Sequence, residues 1–64
     1  MAVAHAISEH STVKLREDVH GWPAGTIGTV VSDYGEVMLV EVSNEKGKAL
    51  DFVQVPTAKL ESER

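Results

Sequence analysis

From Thr12 onward, glycine and proline residues divide this chain into short runs that are rich in β-branched and other apolar residues. The runs cover residues 12–16, 26–32, 37–43 and 48–55. Runs of about four to eight such residues between turn residues are typical of β-strands. The spacing of turn residues therefore predicts an all-β chain.

Proline ends the last of these runs, because Pro56 has no N–H to donate to a strand ladder. Residues 56–60 then fit one helical turn, which returns Leu60 to the core. Short strands joined by turns, with one helical turn before the last strand, predict a small antiparallel β-barrel.

Alternation within the runs predicts which side chains form the core. We expect the core to contain Val13, Leu15, Ile27, Val30, Val40, Val42, Phe52, Val55 and Leu60. Gly28 lies inside a run, where glycine weakens a strand unless the chain bends or another backbone approaches closely. We therefore expect close packing around Gly28.

Residues 1–11 show neither strand alternation nor a sustained helical stripe. We predict two parts, an N-terminal arm over residues 1–11 that is flexible or docked, and a barrel domain over residues 12–62. With 64 residues the chain has room for one small core. A deep catalytic cavity is not expected.

Composition narrows the functional classes. The chain has no cysteine, which excludes disulfides and thiolate chemistry and favours a reducing, cytoplasmic location. The formal net charge is −4, whereas a nucleic-acid-binding protein is usually basic because it neutralises phosphates. No apolar run approaches the length of a membrane span, so we expect no membrane partner.

Three segments resemble a known family. The first reads VKLREDV at residues 13–19, the second reads GTIGTVV at residues 25–31, and the third is an ordered set. That set contains VEV at 40–42, KG at 46–47, VP at 55–56 and Leu60. Together they resemble a family of small bacterial domains of unknown function with a predicted SH3-like barrel. The resemblance implies a small five-stranded SH3-like antiparallel barrel with one short helical turn before the last strand.

No residue set indicates catalysis, a cofactor or a metal. His5 and His10 lie in the unpatterned arm and His20 lies in a loop, whereas a zinc site needs three or four converging ligands. Glu17 and Asp18 are adjacent in an extended segment, so their side chains point to opposite sides and do not flank one substrate atom. We expect a protein that is not an enzyme.

Four residues are candidates for a protein interface: Trp22, Tyr34, Val37 and Leu39. Trp22, in a glycine–proline loop, could form the platform of a peptide groove or fold over the core. Val37 and Leu39 occupy the strand parity opposite to Val40, where a half-buried strand is usually polar. Two arrangements would cover them: a homodimer through this strand, or the arm folding back with Val3 and Ile7.

A nucleic-acid-binding role is the alternative. The segment around Gly28 is also similar, more distantly, to KOW-type segments of transcription and ribosomal proteins. Lys14 and Arg16 share one strand face, and Lys46 and Lys48 flank a hairpin glycine. If these cations converged, they could hold a nucleic-acid backbone. The sequence thus predicts a non-catalytic protein-interaction or accessory module, with a KOW-like nucleic-acid-binding module as the alternative.

Overall fold

The protein folds as one five-stranded antiparallel sheet in the computed structural model, which describes residues 7–63. The elements are β1 (Thr12–Leu15), β2 (Ile27–Asp33), β3 (Val37–Ser43), β4 (Ala49–Pro56), the 3-10 helix η1 (Thr57–Lys59) and β5 (Leu60–Ser62). The strand order is β4-β3-β2-β1-β5. The all-β prediction and the helical turn before the last strand are confirmed. In the part of the chain described, no helix is long and apolar enough to cross a membrane.

The core lies on one side of this sheet. Its buried side chains are Val13, Leu15, Val19, Val30, Met38, Val40, Val42, Val53, Val55 and Leu60. Seven of the nine predicted core residues are among them, but Ile27 and Phe52 are 42% and 55% exposed. Side chains of a strand alternate with a period of two, so Phe52 cannot share a face with Val55. Ile27 is related in the same way to Val30 on β2. The prediction that Ile27 and Phe52 lie in the core was therefore wrong.

Gly28 lies where β2 and β3 approach each other closely, and this prediction is confirmed. A Cβ atom at Gly28 would lie 2.5 Å from Val40 Cγ1 and 2.8 Å from the backbone oxygen of Glu41. Real Cβ atoms do not approach a backbone oxygen so closely, so the close packing of the two strands requires glycine at this position.

Two register shifts interrupt the pairing of β3 with its neighbours. On β2, Val30 and Ser32 pair with successive residues of β3, so Val31 has no residue opposite it. On β4, Leu50 is skipped in the same way between Ala49 and Asp51. An extra residue of this kind bends a strand and increases its twist. The two shifts therefore bend both strands that flank β3.

The segment before β1 runs along β2. The N–H of His10 donates to the Val30 carbonyl at 2.8 Å, and the N–H of Val30 donates to the Ser11 carbonyl at 2.9 Å. Ile7 packs against the core cluster. That cluster lies on the opposite side of β3 from Val37 and Leu39, so Ile7 does not cover them. Val3, the other proposed cover, lies outside the described residues.

Candidate protein-interaction surface

The side of the sheet that faces away from the core carries an unexpected number of apolar side chains. We define the outer face as the side chains of β2, β3 and β4 that alternate away from the core. It includes Ile27, Thr29, Val37, Leu39, Glu41, Phe52 and Gln54. Val37, Leu39 and Glu41 are half-buried, whereas Phe52 is 55% exposed. Four of these residues, Thr29 among them, are therefore partly covered on a face that is usually polar.

Cross-strand pairing sets the neighbours on the outer face. Glu41 on the central strand β3 lies between Thr29 of β2 and Phe52 of β4. One step along β3, Leu39 lies opposite Gln54. Side chains directly opposite on antiparallel strands have Cβ atoms about 4.5–5.5 Å apart, and diagonal neighbours are still within reach of an aromatic ring. The register therefore makes Phe52, Glu41 and Leu39 neighbours on the outer face.

Tyr34 lies at one end of this face, on the β2–β3 turn, and is 64% exposed. Its N–H donates to the Val37 carbonyl at 3.0 Å. The turn is fixed by Thr57, whose hydroxyl donates to the Gly35 carbonyl at 2.7 Å and whose N–H donates to the Glu36 carbonyl at 2.8 Å. Three of the predicted interface residues, Tyr34, Val37 and Leu39, therefore lie on or beside the outer face.

Trp22 lies elsewhere. It packs against the core cluster, and its indole N–H donates to Asp51 Oδ2 at 3.0 Å. The other oxygen of Asp51 accepts the Phe52 N–H at 2.8 Å. The side chain of Trp22 therefore folds over the core and does not form the platform of a peptide groove. Trp22 thus lies apart from the other three predicted interface residues, Tyr34, Val37 and Leu39.

A tight turn carries Trp22 to this position. Val19 and Trp22 exchange two backbone hydrogen bonds of 2.8 and 2.9 Å, and both residues between them have positive φ, 50° at His20 and 87° at Gly21. This is the pattern of a type I′ turn, in which glycine and a few polar residues tolerate positive φ. The turn buries Val19, a core residue that the sequence analysis missed.

The same turn places His20 at the free edge of β4. One ring nitrogen, Nε2, lies 3.2 Å from the Gln54 carbonyl oxygen, which can only accept, so this nitrogen is the donor. His20, Phe52, Val53 and Gln54 line a shallow groove of about 270 Å³. The groove adjoins the outer face through Phe52. Within residues 7–63, no three histidine or carboxylate side chains are arranged to hold a metal ion. His5 lies outside that range.

The four cations of the nucleic-acid alternative do not form one free patch. Lys14 Nζ lies 3.3 Å from Glu61 and 3.8 Å from Glu63, and Arg16 Nε lies 4.0 Å from Glu61. Lys14 and Arg16 therefore lie beside carboxylates on β5 or directly after it.

Lys46 and Lys48 occupy the β3–β4 hairpin, where their backbone N–H groups donate to Asn44 Oδ1 at 2.8 and 3.0 Å. Both side chains are exposed, and neither forms an ion pair with another described residue. Among the lysines and arginines of residues 7–63, Lys46 and Lys48 are thus the two without a carboxylate within ion-pair distance.

Residues 9–62 match the family model described as "Domain of unknown function (DUF4926)", which agrees with the resemblance to small domains of unknown function. Curated proteins and solved structures give no match to this chain.

Proposed function

The chain belongs to the DUF4926 family of domains of unknown function, and we propose that it acts as a small, non-catalytic protein-interaction module. The observation that carries this proposal is Phe52, which is 55% exposed on the outer face beside half-buried Leu39. An apolar cluster rimmed by polar residues on a small domain is typical of an interaction site. The absence of cysteine supports a cytoplasmic location for this role.

A non-catalytic role is supported by how the carboxylates of the first loop are used. Glu17 pairs with Lys59 at 4.0 Å, and Asp18 Oδ1 accepts the Ala24 N–H at 2.8 Å. Both carboxylates therefore have structural partners, and neither is positioned as a base beside a nucleophile among residues 7–63.

Charge weighs against the nucleic-acid alternative. The net charge is −4, and two of the four candidate cations already face carboxylates. Non-specific affinity for nucleic acid depends on the number of phosphates neutralised, and Lys46 and Lys48 supply only two charges.

The experiment that tests the proposal is affinity capture from the host, with the chain immobilised through its N-terminus. Wild type is compared with Phe52→Ser, which removes the exposed ring, and with Lys48→Ser as the matched control. Proteins retained by wild type and by Lys48→Ser, but lost from Phe52→Ser, support an outer-face partner. Retention that all three share equally, or capture dominated by nucleic acid, contradicts the proposal.

A further inference from the structure

We propose that the outer face receives a cationic segment of its partner, with a lysine or arginine side chain held between the Glu41 carboxylate and the Phe52 ring. This inference rests on the proposed function and deepens it, because it names the chemistry of the partner.

The first observation is the position of Glu41. It lies on β3, the central strand, and is half-buried between Thr29 and Phe52. No hydrogen bond and no ion pair joins its carboxylate to another side chain in residues 7–63. A carboxylate without such a partner gains most from a cationic donor, because charge-assisted hydrogen bonds are the strong ones.

The second observation is that the neighbours of Glu41 suit the rest of a cationic side chain. Phe52, directly opposite, offers an aromatic ring, and a cation over such a ring is attracted by its quadrupole. Leu39, diagonal to Phe52, offers apolar surface on which the methylene stem of lysine or arginine can pack.

The third observation concerns the cations of the chain itself. Among the strands of residues 7–63, one basic residue, Lys14 of β1, lies on the same side of the sheet as Glu41. Lys14 already forms ion pairs with Glu61 and Glu63. A second copy would bring the same face, and therefore the same unpaired carboxylate, to a symmetric interface. Charge complementarity thus favours a basic partner over a second copy, and it disfavours a nucleic-acid backbone.

The test uses a random-sequence peptide library displayed on phage and selected against the intact chain. The three variants are Glu41→Gln, which keeps the shape of the side chain and removes its charge, Phe52→Leu, which keeps apolar volume and removes the ring, and Glu45→Gln as the matched control in the exposed hairpin. Circular dichroism and thermal unfolding establish that each variant is folded.

We expect the selected peptides to be enriched in lysine or arginine next to apolar residues. Glu41→Gln should weaken their binding about tenfold or more, since a hydrogen bond to a charged group contributes at least this much. Phe52→Leu should weaken it roughly threefold, the lower range of a cation–π contact. Glu45→Gln should bind like wild type.

Three results of the peptide selection overturn the inference: selected peptides without basic residues, equal weakening by Glu45→Gln and Glu41→Gln, or a library that yields no binder. Wild type that sediments as a dimer, with Glu41 and Phe52 protected from exchange, overturns it in favour of a second copy. In each case the proposed function stands if capture from the host still depends on Phe52, so the two failures are distinguishable.

Discussion

Glu41 and Phe52 lie directly opposite each other on β3 and β4, on the side of the sheet that faces away from the core. The same register pairs Val40 with Val53 on the core side. A slip of one residue would exchange the two sides of β4, burying Phe52 and exposing Val53. The packing of Val53 and Val55 in the core is thus what keeps the ring of Phe52 outside, opposite a carboxylate that has no ion-pair partner in residues 7–63.

Phe52 and Val55 should respond differently to the same substitution. Phe52→Thr should lower the free energy of unfolding by about 1 kcal/mol or less, because the ring is more than half exposed. Val55→Thr keeps the shape of a fully buried side chain and introduces an unpaired hydroxyl, which should cost about 1–3 kcal/mol. Urea unfolding measures both, and a larger loss for Phe52→Thr would contradict the assigned alternation of β4.

Gly28→Ala should destabilise the sheet. The added Cβ would meet Val40 Cγ1 at 2.5 Å and the Glu41 backbone oxygen at 2.8 Å, and the oxygen belongs to a paired strand that cannot move away freely. We expect a loss of about 1–3 kcal/mol, as for other overpacked sites. Ser32→Ala on the same strand is the control and should change unfolding by about 0.5 kcal/mol or less. Equal stability of wild type and Gly28→Ala would show that β2 and β3 are farther apart.

Asp51 should control the environment of Trp22, the single tryptophan of the chain. Its two oxygens accept the indole N–H and the Phe52 N–H. Asp51→Ala removes both acceptors and should cost about 1–2 kcal/mol, with a red shift of tryptophan emission as the loop moves away from β4. Asp51→Asn keeps one acceptor oxygen and should lose less. Emission unchanged in Asp51→Ala would mean that the core contact alone holds Trp22.

The sequence predicted the bounds of the strands better than it predicted which hydrophobic side chains face away from the core. Turn residues divide the chain so clearly that β3 matches its predicted range and β2 and β4 differ by one residue at each end. Ile27 and Phe52 are hydrophobic but lie outside the core, because each is three residues from a core residue, Val30 or Val55, and therefore on the opposite side of its strand. A strict period of two would have excluded both.

Other features depend on contacts that no short pattern records. The pairing of Lys14 with Glu61 joins residues far apart in the chain, and it is produced by β5 lying beside β1. The contact between Trp22 and Asp51 likewise needs the whole sheet. The turn at His20 and Gly21 did leave a signal, since a glycine preceded by a polar residue fits a type I′ turn.

Removing the β5 carboxylates should test the nucleic-acid alternative. Glu61→Gln with Glu63→Gln frees Lys14 and Arg16 and changes the net charge from −4 to −2, because two negative charges are lost. We expect mixed nucleic acid to bind this variant more tightly than wild type, with a steeper decrease as salt is raised. Wild type that already binds with a steep salt dependence would contradict the proposed function, and a titration of fluorescence anisotropy against salt distinguishes the two.

The oligomeric state distinguishes the occupants of the outer face. If a basic partner covers Leu39 and Phe52, the isolated chain should sediment as a monomer at high micromolar concentration. Two copies would each bring to the interface a Glu41 carboxylate that has no ion-pair partner among residues 7–63. Leu39→Glu should then leave sedimentation unchanged, and basic peptides should still bind it, because the added carboxylate attracts cations although the apolar contact is lost. If wild type were a dimer and Leu39→Glu a monomer, the outer face would instead bind a second copy. That result would agree with the homodimer predicted from Val37 and Leu39. Lys46→Glu, in the hairpin, is the control and should change neither measurement.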